Sequence, residues 1–385
     1  MRRTLFALTT AFSLLAAGCG ARGEAPAAPA QSQAPATSAK PAGSAAAAGS
    51  ASAKAAASGG GAASTSAKPA AGAGTTGGAT MTIKFNHVVT RDTPKGRAAD
   101  RFAELVKQNS NGRITVQVFP NSELYKDGEE IEALQQNAIQ FIAPGTDKFG
   151  VLVPQWEATA LPYLFLSDAA GKKFIEPGNP VAKELNEKLR DKGMLGLGVW
   201  LNGWKHFTDS KRPLIKPDDF KGLKFRTSGK PDEAFVKALG GSAQVMAFSE
   251  VFGALQQGVV DGQYNSWSNI YTQKFHEVQK YGTISRGGAL LTYGVATNAK
   301  WWDGLDADTR KILTEAMDQA TKFNNQIADQ DNDQAFDAIK KSGRLDLHEQ
   351  TADEAKAFAT VAESVIKEWE PRTGKEIIDK LKALN

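Results

Sequence analysis

From residue 81 onward the chain alternates short apolar runs with longer amphipathic stretches. Residues 81–89 (MTIKFNHVV) place Met81, Ile83 and Phe85 two apart and predict a strand. Pro94 opens a helix where its missing N–H costs nothing, and Ala98, Phe102, Leu105 and Val106 give that helix an apolar face. Gly112 closes it, and residues 113–119 (RITVQVF) alternate again as a strand. A helix over 127–139, a short apolar strand at 139–143 and strands at 194–200 and 222–226 follow. Helices are predicted at 232–239 and 250–257, with strand-like runs at 259–264 and 290–296. From Asp306 to Lys341 the periodic pattern meets neither Pro nor Gly, which predicts a helix of about 36 residues and about 54 Å. So long a helix can brace two lobes. The tail predicts helices at 352–369 and 374–384, broken near Pro371. The alternation of strands and helices predicts an α/β fold with central sheets covered by helices.

The first eighty residues follow another pattern. Arg2 and Arg3 precede a short apolar run from Leu5 to Leu15, then the small residues Ala16, Ala17 and Gly18, then Cys19. This predicts a secretory signal peptide over 1–18, its apolar run too short to span a bilayer. Cys19 after small residues is similar to a bacterial lipobox and is the expected lipid-anchor residue. The motif's usual Leu stands at Leu15, one step too early, so ordinary cleavage near the same site is the alternative. Residues 20–80 are Ala, Gly, Ser, Pro and Thr with a few charges. They bury too little apolar area to offset backbone entropy, so 19–80 is expected to be a disordered tether.

Composition changes the picture in two places. The chain of 385 residues carries a formal net charge of +4. Residues 81–385 hold 40 basic and 41 acidic side chains, so the excess belongs to the leader and tether. The folded part lacks the positive field that nucleic-acid binding needs, and no nucleic-acid partner is expected. One cysteine excludes a disulfide framework and a Cys-based zinc site.

Catalytic patterns are also missing from the sequence. His87, His206, His276 and His348 are scattered without a zinc-binding spacing. The folded part has no Gly-x-Ser-x-Gly elbow, no phosphate loop and no Gly-x-Gly-x-x-Gly. An enzyme is not expected, although a carboxylate pair assembled by folding is a pattern that sequence does not display.

The informative stretch is 200–275. Arg226 ends a short apolar strand carrying Leu223 and Phe225. Strand ends in an α/β lobe face the ligand crevice, and a guanidinium there offers a planar fork to a carboxylate. A surface Arg, or one paired with a carboxylate such as Asp218, fits the same pattern. His87 ends the first strand and is a candidate for the cleft or for a satisfied polar core position. Lys148 follows the strand at 139–143 and is a candidate for a distal carboxylate. Phe248, Trp267 and Tyr163 are candidates for pocket wall or for core.

Gly222-Leu223-Lys224-Phe225-Arg226, Met246-Ala247-Phe248-Ser249-Glu250-Val251 and the run Ala254 to Gln263 (ALQQGVVDGQ) occur in order, with Asn265 just beyond. Thr93-Pro94-Lys95-Gly96, Phe119 to Leu124 (FPNSEL) and Leu161 to Phe165 (LPYLF) add to them. Together these motifs resemble the substrate-binding proteins of tripartite ATP-independent periplasmic (TRAP) transporters, of the C4-dicarboxylate-binding type, over roughly 82–375. The resemblance implies a two-lobed periplasmic-binding-protein clamshell with a long helix bracing both lobes. Lobe one is expected at 81–203 plus 291–330, and lobe two at 204–290 plus 331–385. It implies that Arg226 grips the ligand carboxylate at two points and that Asn265 assists. Lys205 stands where the family has a second Arg, and lacks the fork. The implied function is capture of a small organic acid, a C4-dicarboxylate such as malate, succinate or fumarate, for TRAP membrane subunits. It implies a monomer; with the leader and Cys19, a protein outside the cytoplasm anchored through Cys19 is expected, with no cofactor and no metal. A ligand-sensing or scaffold lipoprotein, or an extracytoplasmic enzyme acting on small organic acids, is the alternative.

Overall fold

The computed structural model describes residues 80–385. The leader, Cys19 and the tether up to residue 79 lie outside the described residues, and so do the expectations placed on them. The strands are β1 (Met81–Asn86), β2 (Ile114–Phe119), β3 (Phe141–Ile142), β4 (Met194–Trp204), β5 (His206–Asp209), β6 (Lys224–Thr227), β7 (Ser242–Val245), β8 (Gly262–Asn265), β9 (Tyr281–Ile284), β10 (Leu290–Asn298) and β11 (Asp346–Glu349). They form two mixed sheets. Sheet one has the order β2-β1-β3-β10-β4, and sheet two the order β11-β9-β5-β8-β6-β7. In sheet one β1 pairs parallel with β2 and β3, while β10 runs antiparallel to β3 and β4.

The helices are α1 (Pro94–Asn109), α2 (Glu129–Gln135), α3 (Asp168–Ile175), α4 (Pro180–Arg190), α5 (Lys230–Ala238), α6 (Val251–Gln256), α7 (Trp267–Thr272), α8 (Phe275–Val278), α9 (Ala299–Asp303), α10 (Ala307–Ser342), α11 (Ala352–Thr373) and α12 (Lys375–Lys382). Thr93 caps α1 by accepting the Gly96 N–H, and Pro94 sits in its first turn. Phe102 of α1 packs with Phe85, Phe141 and Trp200 to make the core under sheet one. Helix α10 has 36 residues, with Asp306 accepting the Thr309 N–H at 2.8 Å as its cap. Its Leu313, Met317 and Ala320 join the sheet-one core. Its Ala335 and Ile339 join Phe248, Val251 and Trp267 in another core. One helix therefore supplies apolar surface to the cores beside both sheets.

Three boundaries differ from the sequence pattern for physical reasons. Helix α2 starts at Glu129 rather than 127 because Gly128 has φ 91°, a left-handed turn that only glycine adopts cheaply. Strand β8 starts at Gly262 because residues 259–261 bend ahead of it, with Val259 44% exposed. Helix α11 continues through Pro371 to Thr373. The ring costs one carbonyl partner in the last turn, and that turn is anchored by buried Trp369 and by Arg372 paired with Glu157. Strands β5, β7, β9 and β11 have four residues each and carry too little alternation to be read ahead of folding.

The chain passes between the sheets at three places. Lys205 alone separates β4 from β5, and its N–H donates to the Ala289 carbonyl at 3.0 Å. Residues 285–289 return from β9 to β10, and the Ala289 N–H donates to the Tyr264 hydroxyl at 2.8 Å. The third passage is α10. The ends of β1, β3, β6, β8 and β10 meet in the space these crossings enclose. Helix α12 packs on α4, with Lys380 paired to Glu184 at 2.7 Å.

Candidate functional site

Arg226 is the third residue of β6 and is 1% exposed. Its neighbours Phe225 and Thr227 point to the other face of the strand, which leaves the guanidinium aimed along the cleft side. Nε and Nη2 donate to the Met246 carbonyl at 3.2 and 2.9 Å, which fixes the plane of the fork without using Nη1. The Phe248 ring lies 5.6 Å from Cζ, a cation–π distance. Across the cleft, Asp127 Oδ2 stands 3.7 Å from Nη2 and accepts the Phe248 N–H at 2.9 Å. Burial pulls the Arg226 pKa down, and the carboxylates of Asp127, Asp232 and Asp147 oppose that. The guanidinium therefore stays charged while nearly dry.

A cavity of about 30 Å³ remains between Arg226 and the opposite wall, lined also by Asn265, Asn269, Tyr293, Phe248 and Lys148. Asn265 ends β8, where its Oδ1 accepts the Ser266 N–H at 3.0 Å and Asn269 Nδ2 at 2.8 Å. Its own Nδ2 is thereby the part left for a ligand. Tyr293, on β10, accepts from Asn202 Nδ2 at 3.1 Å and Asn269 Nδ2 at 3.2 Å. Burial pushes the Tyr293 pKa up, so its hydroxyl keeps its proton. Lys148, on a 3₁₀ turn at Thr146–Val151, reaches across the cleft to the Ser228 carbonyl. Beside it Asp147 is buried against Gly229, so tightly that a Cβ on Gly229 would lie 1.9 Å from Asp147 Oδ2. Burial raises the Asp147 pKa, countered by Lys148 and Lys205.

The other expected residues sit elsewhere. Lys205 is 1% exposed and donates to Asp232 Oδ2 at 2.6 Å and to Ser228 Oγ at 3.1 Å. Its charge is answered within the same side of the cleft, and it does not line the cavity. His87 is fully buried, with no hydrogen-bond partner at either ring nitrogen among the described residues, and Val88 and Val89 line the cavity in its place. Burial, with Lys95 and Arg91 nearby, lowers its pKa and keeps it neutral. Trp267 stacks on His206 at 4.5 Å and 16° and belongs to the core. Tyr163 packs on Phe235, away from the cavity.

Sequence reasoning missed Asp127, Asp147, Asn269 and Tyr293. Only Asn269 had a usable signal, since it lies one helical turn after Asn265. Lys95 was missed as well. It is 1% exposed, donates to the Ala143 carbonyl at 2.9 Å, and lies 3.6 Å from the Tyr293 ring centre. Burial lowers its pKa and raises that of Glu130, which accepts from Asn86 at 3.2 Å. A wider open groove of about 380 Å³ runs between α4, β4 and α10, past Asn186, Gly196 and Thr321, and contains no buried charge. Among the described residues no three His, Cys, Asp or Glu side chains gather to hold a metal, and no helix is long and apolar enough to cross a membrane.

Residues 85–372 match the family described as bacterial extracellular solute-binding protein, family 7. The chain is 47% identical over 305 residues to the C4-dicarboxylate-binding periplasmic protein DctP of Rhodobacter capsulatus, covering 79% of this chain and 90% of that protein. It is 40% identical over 303 residues to the C4-dicarboxylate-binding protein DctB of Bacillus subtilis, covering 78% and 85%. Among solved structures it is similar to a TRAP periplasmic solute binding protein from Shewanella oneidensis with bound succinate. That match has a TM-score of 0.77 and 39% identity, and covers 80% of this chain and 100% of the other.

Proposed function

Because the chain belongs to the family 7 bacterial extracellular solute-binding proteins, the C4-dicarboxylate-binding type that serves TRAP transporters, we propose that its cleft captures a small organic acid. The ligand class is a C4-dicarboxylate such as succinate, malate or fumarate. The observation that carries this reading is Arg226, a charged guanidinium 1% exposed, held flat by a backbone carbonyl at the edge of an interlobe cavity. Such a group is costly without an anion and strong with one, because a dry site magnifies charge-assisted hydrogen bonds. Nη1 takes one carboxylate oxygen, Asn265 Nδ2 and the Tyr293 hydroxyl donate to the ligand, and Phe248 closes one wall. Lys148 contributes from the facing lobe, and Lys205 acts indirectly by holding Ser228 and Asp232.

The lobes we propose are 81–203 with 291–330 and 204–290 with 331–385, the second sending its C-terminal helices across to the first. Ligand drives their closure only through its tighter binding to the closed form. Lys148 to the Ser228 carbonyl and Asp127 to the Phe248 N–H are contacts that exist only when the lobes meet. The protein acts outside the cytoplasm as a binding component, not a catalyst. We further propose a monomer tethered through lipidated Cys19, the tether raising its concentration near the membrane subunits. The test is a thermal-shift panel of organic acids on the full chain. An acid at about 100 times its dissociation constant adds about 2.7 kcal/mol of stability. Absence of a shift with every C4 acid would defeat the assignment.

A further inference from the structure

The hydrogen-bonding polarity of the cavity is set by one backbone group. The Ser266 N–H can only donate, and it points at the Asn265 side chain at 3.0 Å. The atom it meets must be Oδ1, since an amide NH₂ there would place donor against donor. With Asn265 fixed, the Asn269 atom 2.8 Å from that oxygen must be Nδ2. The same nitrogen donates to the Tyr293 hydroxyl at 3.2 Å, so both of its protons are committed. What remains of Asn269 is Oδ1. It is buried and has no partner among the described residues, on a side chain that is 2% exposed and lines the cavity. A buried acceptor left unmatched is expensive, and native sites rarely keep one without use. Asp127, also on the cavity wall, is a second group that only accepts when ionised.

A fully ionised succinate or fumarate offers acceptors alone. It answers Arg226 and Asn265 Nδ2 and gives nothing to Asn269 Oδ1. We infer that the ligand carries a hydroxyl beside its carboxylate and that Asn269 reads it, which makes the site selective for hydroxy acids over their deoxy counterparts. This rests on the organic-acid reading above and narrows it. Asn269 and Arg226 line the same cavity. A water trapped beside a plain diacid is the competing occupant of the Oδ1 position, and it would erase the selectivity.

Titration calorimetry on the full chain with succinate, 2-fluorosuccinate and both malate enantiomers separates these cases. Fluorine matches the bulk of a hydroxyl without donating a proton. The expected result is that one malate enantiomer binds at least about tenfold tighter than succinate, with fluorosuccinate grouped with succinate. In Asn269→Ala the malate-to-succinate ratio collapses to within about twofold, because the acceptor that reads the hydroxyl is gone. Succinate or fluorosuccinate binding as tightly as either malate overturns the inference while leaving the organic-acid reading intact. A ratio preserved in Asn269→Ala overturns the role of that residue. Silence from all four acids overturns both. The wild-type ratios decide the matter even if the variant does not fold.

Discussion

Arg226, in β6, and Lys205, the single residue between β4 and β5, are equally buried cations with opposite fates. Each is 1% exposed. Lys205 meets Asp232 at 2.6 Å with Ser228 completing its shell. Arg226 meets a carbonyl, an aromatic face, and a carboxylate no nearer than 3.7 Å. One charge is answered inside its own lobe, whereas the other waits for an anion. Burial by itself does not mark a ligand residue. What marks it is a buried charge whose neutralising partner is distant or lies across a moving cleft. Variants at these two positions, and at the contacts around them, can break that contrast or sharpen it.

The largest effect is expected from Lys205→Ala. It strands a buried carboxylate at Asp232, which costs about 3–5 kcal/mol of stability. Urea unfolding measures the loss, and the fraction that still folds should bind its acid with little change. Pairing it with Asp232→Leu should recover most of the stability, because two apolar groups bury more cheaply than one unpaired charge. A Lys205→Ala protein of normal stability that has lost its ligand would reverse the roles assigned to the two cations.

Arg226→Ala comes next and should act on binding. Losing a desolvated charge partner weakens a carboxylate by about 100-fold, or about 2.7 kcal/mol. Stability should hold or rise, since the variant removes a buried charge whose nearest carboxylate is 3.7 Å away. Arg226→Lys should fall in between, as it keeps the charge and loses the fork. Calorimetry with the best acid of the panel reads both. Equal affinity in Arg226→Ala and wild type would remove the guanidinium from the ligand.

How much of this was legible beforehand follows from where each signal lives. Helix α10 was readable over nearly its full length because its cue is periodic and local. So was the place of Arg226, at a strand end inside a motif run. Lys205 could be located but not interpreted. Its partner lies 27 residues away, and only folding brings Asp232 under it. Asp127 is 99 residues before Arg226 and faces it from the turn ahead of α2, so no spacing rule links them. His87 and Trp267 sit where cleft residues sit in the pattern, yet their side chains turn into the core. Direction is a property of packing, and a four-residue strand such as β5 leaves it undetermined. Phe248, which the motif offered for pocket wall or for core, lines the cavity two residues after the Met246 carbonyl that holds Arg226.

A smaller effect should come from Gly229→Ala. A methyl there meets Asp147 Oδ2 at 1.9 Å, so the carboxylate or the lobe must retreat before the cleft can shut. Neither lobe loses a contact of its own, and the unfolding midpoint should stay near wild type. Closure should be penalised, and affinity should fall by about tenfold, the size of a modest overpacking cost paid only in the closed form. Solution scattering with saturating acid should show a wider particle than wild type under the same conditions. A wild-type affinity in this variant would mean that Asp147 yields freely and that the lobes do not close on this corner.

Lys148→Ala is the finest probe of the contrast, because Lys148 is a cation of the third kind. It is partly buried, its ammonium contacts the Ser228 carbonyl across the cleft, and Asp147 is its immediate neighbour. A charge-assisted bond to a carbonyl that forms only on closure is worth about 1–2 kcal/mol at most, and solvent near the rim discounts it. Truncation should therefore weaken acid binding by only a few-fold while leaving the open protein as stable as before. The salt dependence of binding distinguishes the possible origins of that loss. If Lys148 serves only as a latch, the slope of affinity against salt should match wild type. If it also attracts the anion, raising salt should weaken wild type more than the variant, because the cation that salt screens is gone. Should Lys148→Ala instead cost as much as Arg226→Ala, the principal grip on the ligand would lie on the facing lobe, and the division between an answered and an unanswered cation would have to be redrawn around Lys148.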